Sequence, residues 1–287
     1  MIRLALPNKG RLAESARELL ERAGLEFDGG GERALQAKLG SDFLALFVRA
    51  WDIPEFVADG AADLGITGSD LVAERGRELD TLLDLEFGRC RLVVAARDDG
   101  PVRQIDDVAD GSRVATAFPR LAREFFDGRG SRVEIVPVSG AAEIAPHLGV
   151  ADVIVDLVST GSTLRVNGLR EIARVMDSTA MLVARPGLST DATVNRRIVE
   201  LATALESVIR AQGRRYLMAN IPRAALDAVK GILPGISGPT IVDVLDGGRF
   251  VAAHAVVDRH DIYRVIAELR EIGAEGILVT RIERLIP

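Results

Sequence analysis

Residues 152–164 join a continuous apolar run to a loop rich in hydroxyl side chains, and this pattern restricts the fold more than any other part of the chain. The run Val153–Val158 is interrupted only by Asp156, which is typical of a strand buried on both faces of a parallel sheet. The loop leads into a short segment, Leu164–Asn167, which we predict to be helical and to end at Gly168. A strand, a loop and a helix in this order indicate an α/β protein.

The loop after this strand has the chemistry of a phosphate site. Its hydroxyl groups belong to Ser159, Thr160, Ser162 and Thr163. Together with backbone N–H groups at the start of a helix they can donate to an anion, and Gly161 lets the backbone approach a ligand closely. Asp156 can accept hydrogen bonds from ribose hydroxyls, so the segment predicts a phosphoribosyl site. Serine, threonine and glycine also form plain caps and turns, and the loop alone leaves that interpretation open.

The composition excludes several functional classes. Of the 287 residues, 48% are apolar and 27% are charged, which is an ordinary balance for a globular protein. The net charge of -6 argues against general nucleic-acid binding, and no apolar run is long enough to span a membrane. The N-terminus has no secretory pattern, Cys90 is the only cysteine, and the three histidines lack metal-ligand spacing. We therefore expect a cytoplasmic protein with no nucleic-acid or membrane partner and no metal held by protein ligands alone.

Strand and helix patterns alternate through the first 210 residues, which predicts an α/β architecture with parallel sheets. The predicted strands are Ile2–Leu6, Phe43–Val48, Ala62–Thr67, Cys90–Ala96, Arg113–Thr116, Val133–Val138, 152–158 and Met181–Ala184. The predicted helices are Leu12–Ala23, Asp52–Asp59, Ser69–Arg75, Pro119–Phe126, Ala141–His147 and Asp191–Ala211.

Two of these strands mark crossings between domains. Cys90–Ala96 is expected to leave a first domain, and Met181–Ala184 is expected to return to it. We therefore divide the chain into domain I (residues 1–91 and 183–212) and domain II (residues 92–182), which carries the hydroxyl-rich loop. Two open α/β domains joined by two crossings leave a cleft between them, as in periplasmic binding proteins, and such clefts commonly hold ligands.

Residues 213–287 show a different pattern. Their predicted elements are, in order, Tyr216–Ile221 (strand), Pro222–Leu233 (helix), Thr240–Leu245 and Phe250–Val257 (strands), His260–Ile272 (helix) and Gly276–Ile282 (strand). This β-α-β-β-α-β order is the ferredoxin-like arrangement. Modules of this shape often carry regulation or assembly, although the fold alone does not establish a function.

Several motifs, taken together and in order, resemble the long form of ATP phosphoribosyltransferase, the first enzyme of histidine biosynthesis. The matching segments are Pro7–Leu12, Arg49 with Asp52–Pro54, Asp63–Leu71, Gly140–Glu143, Ala151–Leu164 with Asn167–Leu169, Leu233–Gly235 and Ser237–Thr240. The sequence Asp-Leu-Val-Ser-Thr-Gly-Ser-Thr at residues 156–163 is the most specific of them. Because the motifs run through nearly the whole chain, the resemblance favours the phosphate interpretation of the loop.

The resemblance implies a reaction in which adenine N1 of ATP attacks C1 of phosphoribosyl pyrophosphate and expels pyrophosphate. N1 already carries a lone pair, so the reaction requires aligned reactants and charge stabilisation more than a strong base. Lys9 and Arg49, both just past predicted strand ends, are expected to contact the pyrophosphate. Mg²⁺ is expected to bind mainly through substrate phosphates.

The resemblance also implies the remaining substrate contacts. The residues expected to hold the 5′-phosphate are Ser159, Thr160, Gly161, Ser162 and Thr163. Asp156 and Glu143 are expected to contact ribose, and Asp70 is expected to contact adenine. A surface-charge role remains open for Lys9, Arg49 and Glu143, and a helix-capping role remains open for Asp70.

Regulation is implied for the C-terminal module. Histidine is expected to bind there as a feedback inhibitor, held by Asn220, Ser237 and Thr240, although a turn-forming role remains open for Ser237. The family suggests a homo-oligomer that converts from a dimer to a hexamer and needs no separate regulatory subunit. The residues alone leave three alternatives: a solute-binding protein, a nucleotide-sensing regulator that has lost the chemistry, and a phosphoribosyltransferase with another acceptor base. Turnover of ATP with phosphoribosyl pyrophosphate separates them.

Overall fold

The computed structural model describes residues 1–29, 34–187, 191–245 and 247–286. The strands within these residues are β1 Ile2–Pro7, β2 Phe27–Asp28, β3 Gln36–Leu39, β4 Phe43–Val48, β5 Leu64–Gly68, β6 Asp80–Asp84, β7 Cys90–Arg97, β8 Arg113–Thr116, β9 Glu134–Pro137, β10 Val153–Val158, β11 Leu169–Ser178, β12 Ala180–Ala184, β13 Arg214–Pro222, β14 Thr240–Asp243, β15 Phe250–Asp258 and β16 Glu275–Arg281. The helices are α1 Ala13–Arg22, α2 Ile53–Ala58, α3 Ser69–Arg75, α4 Pro119–Asp127, α5 Ser162–Val166, α6 Ala192–Ala211, α7 Leu226–Ile232 and α8 Ile262–Glu271.

Sheet A has the strand order β2-β3-β4-β1-β5-β12-β6. Its central strand β1 pairs in parallel with β4 and β5, and β12 joins the sheet antiparallel to β5. Apolar side chains such as Leu4, Leu64 and Ile66 are fully buried, which explains why these strands consist of near-continuous apolar runs. The carboxyl ends of the parallel strands β4, β1 and β5 share one edge, which is where open α/β sheets commonly bind ligands.

Sheet B has the strand order β11-β7-β10-β8-β9. Its strands β10, β8 and β9 are parallel, whereas β7 and β11 run antiparallel to their neighbours. The chain passes from sheet A to sheet B between β6 and β7 and returns between β11 and β12. The predicted domain boundary between residues 182 and 183 falls inside β12, so sheet membership puts the return at Thr179.

A buried carboxylate joins helices that come after strands of the two sheets. Glu74 on α3 accepts hydrogen bonds from the backbone N–H groups of Arg120 and Leu121 at the start of α4, both at 3.0 Å. Beside it, the rings of Trp51 and Phe118 meet edge to face, with centroids 5.4 Å apart. The first turn of a helix has unpaired N–H groups, so the Glu74 carboxylate satisfies donors that would otherwise be unpaired.

The C-terminal module forms sheet C with the order β14-β15-β13-β16, antiparallel throughout. In chain order its strands and helices run β-α-β-β-α-β, as predicted. Buried residues alternate with partly buried ones along β15 and most of β13, so one face of the sheet packs into a core with Val229 of α7 and Leu269 of α8. The other face carries Tyr216 and His254, whose side chains are hydrogen-bonded to each other.

The predicted fold class is confirmed: two open α/β sheets joined by two crossings, with a ferredoxin-like module after them. Contacts divide the chain into two compact units, Met1–Ala202 with sheets A and B and Thr203–Pro287 with sheet C. Within the described residues, none of the helices combines the length and apolar character needed to cross a membrane.

Three expectations about the local structure were wrong. The sheets are mixed rather than parallel, because the strands that carry the crossings run against their neighbours. The predicted helix Ala141–His147 is only a 3₁₀ turn at Ala142–Ile144, since Ala141 adopts a left-handed φ of 51° and Pro146 has no N–H to donate. The strand β11 was not predicted, because charged residues and two bulges disrupt its apolar pattern.

Candidate active site

The hydroxyl-rich loop forms the wall of a cavity at the carboxyl end of β10. The cavity has a volume of about 300 Å³ and is lined by Glu143, Asp156, Leu157, Val158, Ser159, Thr160, Gly161, Ser162, Thr163 and Leu164. Glu143 comes from the turn after β9, whereas the other residues belong to the segment that leaves β10. The structure therefore brings together all of the predicted substrate-binding residues except Asp70.

The loop changes direction at Gly161, whose φ of 78° lies in the left-handed region that favours glycine. The hydroxyls of Thr160 and Ser162 are hydrogen-bonded to each other at 2.9 Å, and the N–H of Ser162 points to Thr160 Oγ1 at 3.4 Å. The helix α5 after the loop begins at Ser162 and has only five residues. The affinity of this loop for an anion would therefore rest on its own N–H and hydroxyl groups rather than on the dipole of a long helix.

The space beside Gly161 is open. A Cβ atom at this position would meet nothing closer than 3.8 Å, and the nearest groups include the guanidinium nitrogens of Arg91 and Arg165. Two cations thus stand beside the loop, and an added side chain would occupy the space between them. This arrangement fits a site for a small anionic group.

The carboxyl group of Asp156 is the polar group at the base of the cavity. Burial raises its pKa above the ordinary value, the nearby charge of Glu143 raises it further, and the hydrogen bond from the N–H of Leu157 opposes both effects. That N–H donates to Asp156 Oδ1 at 2.8 Å. A cation or a diol that enters the cavity would offset the cost of burying the ionised carboxylate.

Lys9 and Arg49 come just after the carboxyl ends of the paired strands β1 and β4, at one edge of sheet A. Pro7 of β1 is paired with Val48 of β4, and the N–H of Asn8 continues this ladder to the carbonyl of Val48 at 2.8 Å. Both basic side chains are exposed, and neither has an ion-pair or hydrogen-bond partner among the described residues. They do not line the cavity beside β10. They remain free to bind an anion at the neighbouring edge.

Asp70 is fully buried at the start of α3. The Ser178 hydroxyl donates to Asp70 Oδ1, and the Asp70 N–H donates back to Ser178 Oγ at 3.2 Å. Arg11 lies 3.8 Å from the same carboxylate and also donates to the carbonyl of Gly88. Asp70 therefore ties sheet A to both crossing segments, and its carboxylate is closed off from an adenine ring in this conformation.

Sequence reasoning did not identify Arg91, the basic residue most directly connected to the loop. Its guanidinium donates to Glu171 at 2.8 Å and to the carbonyl of Ser159 at 3.2 Å. No motif marked this position, because a lone arginine near the start of a strand has no specific pattern. The pairing of β7 with β10 reveals its role, since it places Arg91 beside Val158, the last residue before the loop.

The three residues predicted to bind histidine are on sheet C or next to it. Asn220 on β13 and Thr240 on β14 lie on the face that carries the Tyr216–His254 pair, since Thr240 is paired directly with His254 in register. Ser237 is exposed in the turn before β14. The structure thus places two of the three on one sheet face.

Comparison with known proteins places this site in a family. The family model of ATP phosphoribosyltransferase (HisG) matches residues 49–207, and the model of the HisG C-terminal domain matches residues 211–284. The chain belongs to the ATP phosphoribosyltransferase family. An ATP phosphoribosyltransferase of Gemmatimonas aurantiaca is 62% identical over the full length of both chains, and one of Natronomonas pharaonis is 49% identical, also over the full length of both.

A solved structure from the same family has a similar fold. The ATP phosphoribosyl transferase (HisG:HisZ) complex from Thermotoga maritima matches with a TM-score of 0.65 and 28% identity. The match covers 73% of this chain and 99% of that chain. The prediction that the protein is a transferase of the ATP phosphoribosyltransferase family, in the long form with its C-terminal domain, is therefore confirmed.

Proposed function

We propose that the protein transfers the 5-phosphoribosyl group of phosphoribosyl pyrophosphate to N1 of ATP, giving phosphoribosyl-ATP and pyrophosphate. Membership of the ATP phosphoribosyltransferase family supports the first step of histidine biosynthesis. The observation that carries the detailed proposal is the single cavity that joins a hydroxyl-rich loop, Asp156 and Glu143. A phosphate and a ribose diol, held side by side, need donors and carboxylate acceptors in this arrangement.

In this proposal the loop binds the 5′-phosphate and so fixes the position of ribose C1. The carboxylates of Asp156 and Glu143 accept hydrogen bonds from the ribose hydroxyls. As the bond from C1 to pyrophosphate breaks, positive charge grows on the ribose and negative charge grows on the leaving group. Lys9 and Arg49, free at the edge of sheet A, stabilise the departing pyrophosphate. No general base is required, because adenine N1 attacks with its own lone pair.

Mg²⁺ is the metal that this proposal includes. Within the described residues, no three His, Cys, Asp or Glu side chains are grouped to hold a metal ion. The donors in the cavity do fit Mg²⁺, because Asp156 and Glu143 supply carboxylate oxygens, the ligands it prefers, and substrate phosphates supply the rest. The ion would neutralise phosphate charge. We also propose that residues 92–178 act as the domain that carries the phosphoribosyl site and that the segments of sheet A, residues 1–91 with 180–212, form its partner.

The reaction is tested by mixing the protein with Mg²⁺, ATP and phosphoribosyl pyrophosphate and measuring phosphoribosyl-ATP by its absorbance and mass. Formation of this product with release of pyrophosphate supports the proposal. Release of pyrophosphate with another purine base, but not with ATP, would show that this base is the acceptor instead of ATP. Binding of the substrates without turnover would indicate a regulator.

We further propose that the C-terminal module binds histidine as a feedback inhibitor, with Asn220 and Thr240 contacting the charged ends of the amino acid. The supporting observations are the C-terminal domain match and the presence of both residues on one face of sheet C. Inhibition requires that histidine favour a less active state. A dimer that converts to a hexamer would be one such change, and an enzyme with its own module would need no separate regulatory subunit.

The histidine proposal is tested in the full chain. Thr240→Val and Asn220→Ala should raise the histidine concentration for half-inhibition on the order of tenfold while leaving turnover without histidine unchanged. Thr280→Val, on β16 of the same sheet, is the matched control and should keep wild-type inhibition. Light scattering with and without histidine measures the oligomer. If Thr240→Val, Asn220→Ala and Thr280→Val are all inhibited as strongly as the wild type, the histidine site lies elsewhere.

A further inference from the structure

The phosphate-binding loop has an external support on a strand of the same sheet. Arg91 is the second residue of β7, which is the strand that enters sheet B from sheet A, and its backbone lies beside Val158 of β10. From there its guanidinium reaches over the end of β10. Its Nη1 donates to the carbonyl of Ser159 at 3.2 Å, so it holds the first peptide group of the loop.

Arg91 is itself held in place. Both Nε and Nη2 lie 2.8 Å from Glu171 Oε2 on the return strand β11. The two side chains are about three-quarters buried, with 25% and 29% of their surfaces exposed. The hydrogen bond from Arg91 to Glu171 raises the pKa of Arg91 above its ordinary value, and Asp177 adds to this effect. A guanidinium fixed by one carboxylate keeps its remaining N–H groups in a set direction, which a flexible lysine cannot do.

The guanidinium of Arg91 also lies close to the turn of the loop. Nη2 lies 3.8 Å from the position that a Cβ of Gly161 would take, next to the turn of the cradle. Within the described residues, the side-chain hydrogen bonds inside residues 159–163 join only Thr160 and Ser162, and the carbonyls of Gly161 and Thr163 accept from the N–H groups of the short helix that follows. The contact from Arg91 is thus the one that connects the start of the loop to the rest of the sheet.

Building on the proposed function, we infer that Arg91, oriented by Glu171, is a positioning residue that holds the phosphate-binding loop in its anion-binding form. Because Arg91 and Glu171 lie on the two strands next to the crossings, they also link the geometry of the crossings to that of the loop. Loss of Arg91 should weaken binding of phosphoribosyl pyrophosphate and leave binding of ATP intact.

The first test measures the loop without any substrate. The N–H groups of Arg165 and Asn167 donate to the carbonyls of Gly161 and Thr163 at 3.2 and 3.1 Å, so their hydrogen exchange reports on the cradle. Arg91→Gln should accelerate exchange at both amides on the order of tenfold. Arg97→Gln is the matched control, because Arg97 lies on the same strand in an exposed pair with Asp99. Unchanged exchange in Arg91→Gln overturns the inference whatever the reaction is.

The second test measures substrate binding. Arg91→Gln should raise the KM for phosphoribosyl pyrophosphate roughly 10- to 100-fold, the loss expected for a hydrogen bond to a charged group, with the KM for ATP unchanged. Arg91→Lys, which keeps the charge but cannot satisfy Glu171 and Ser159 together, should recover only part of this loss. Glu171→Gln should act in the same direction, and the double variant should be no worse than Arg91→Gln alone.

The two tests separate the inference from the proposed function. If the wild-type protein forms no phosphoribosyl-ATP but the loop amides respond to Arg91→Gln, the reaction is wrong and the positioning role stands. If the wild-type enzyme is active but Arg91→Gln and Arg97→Gln behave alike, the positioning role is wrong. Additive effects of Arg91→Gln and Glu171→Gln would also contradict it, because they would show that Glu171 acts independently.

Discussion

The tripeptide Thr-Gly-Ser occurs at the ends of two strands, once in sheet A and once in sheet B, and the two copies differ in structure. Residues 67–69 comprise the last two residues of β5 in sheet A and the first residue of α3, and residues 160–162 come after β10 of sheet B. In the first copy Gly68 is extended, with a φ of -80°, and the loop is closed by the buried carboxylate of Asp70. In the second copy Gly161 is left-handed and the hydroxyls face an open cavity.

The difference arises from the residue that comes after each tripeptide and from the side chains that pack against it. Ser178 and Arg11 lie beside Asp70 Oδ1 and engage that oxygen, whereas Asp70 Oδ2 is buried without a hydrogen-bond partner among the described residues. Thr163 occupies the corresponding position after the second tripeptide and is exposed.

The hydroxyls of Thr67 and Ser69 donate to distant segments of the protein, so the first loop is structural. In the described part of the chain, the hydroxyls of Thr160 and Ser162 have only each other and the Ser162 N–H as partners and line a cavity, so the second loop can bind a ligand.

The largest expected effect comes from closing the open loop. Gly161→Val places a branched side chain between the two arginines at a left-handed φ, which costs about 1–2 kcal/mol of stability. It should lower kcat/KM for phosphoribosyl pyrophosphate by more than about 100-fold, because the loop donors lose access to the phosphate. Steady-state kinetics and thermal melting measure the two effects. Gly130→Val, at a φ of 76° with open space around it, carries the same strain away from the site. Wild-type turnover in Gly161→Val would show that the loop does not bind substrate.

The second comparison is between basic side chains that have no partner in the described part of the chain and a basic side chain that is held in an ion pair. Lys9→Ala and Arg49→Ala should each lower kcat by roughly 10- to 100-fold, because a cation that binds departing pyrophosphate is lost. Neither should change the melting temperature measurably, since neither side chain has a partner within the described residues. Arg97→Ala removes an exposed charge paired with Asp99 and should leave kcat unchanged. Wild-type kcat in both variants would make Lys9 and Arg49 ordinary surface charges.

A substitution in the closed loop, which contains Gly68, should change the stability of the protein rather than its activity. A Cβ at Gly68 would lie 2.2 Å from Asp70 Oδ1, and the carboxylate cannot move without losing Ser178. We expect Gly68→Ala to reduce the free energy of unfolding by about 2–3 kcal/mol, measured by chemical denaturation. Gly140→Ala, which has open space and an ordinary φ, is the control. Full stability of Gly68→Ala would mean that the Asp70 network is loosely held.

The smallest expected effect is a gain in stability when the partly buried carboxylate of Asp156 is removed. The raised pKa of Asp156 means that the folded protein binds this proton more tightly than the unfolded chain does. The associated stability is complete below pH 3.8 and is lost as the pH rises through the folded-state pKa. Asp156→Asn keeps an oxygen for the Leu157 N–H and removes this loss, so it should melt at a higher temperature than wild type at neutral pH. The difference should vanish in acid. The same variant should bind phosphoribosyl pyrophosphate more weakly, and a lower melting temperature at neutral pH would contradict the electrostatic argument.

Much of the architecture could be predicted from local patterns. The strands at Phe43–Val48 and Arg113–Thr116 were predicted with their observed bounds, because a compact apolar run limited by polar residues determines a buried strand. The open loop was also predictable as a candidate site, since hydroxyls and a glycine after such a strand form a recurring phosphate motif. The strand β11 was not predicted, because its charged side chains and bulges give it a pattern that resembles a loop.

The sequence by itself determined the alternation of strands and helices, the C-terminal β-α-β-β-α-β order and the donor groups of the loop. These depend on side-chain periodicity and on chemistry within a few residues. Only the tertiary structure decided which Thr-Gly-Ser loop is closed, where Lys9 and Arg49 are free, and that Arg91 supports the loop from a strand 68 residues away from Ser159. These outcomes depend on sheet pairing between distant segments, because the pairing decides which polar groups find partners inside the protein and which are left for a ligand.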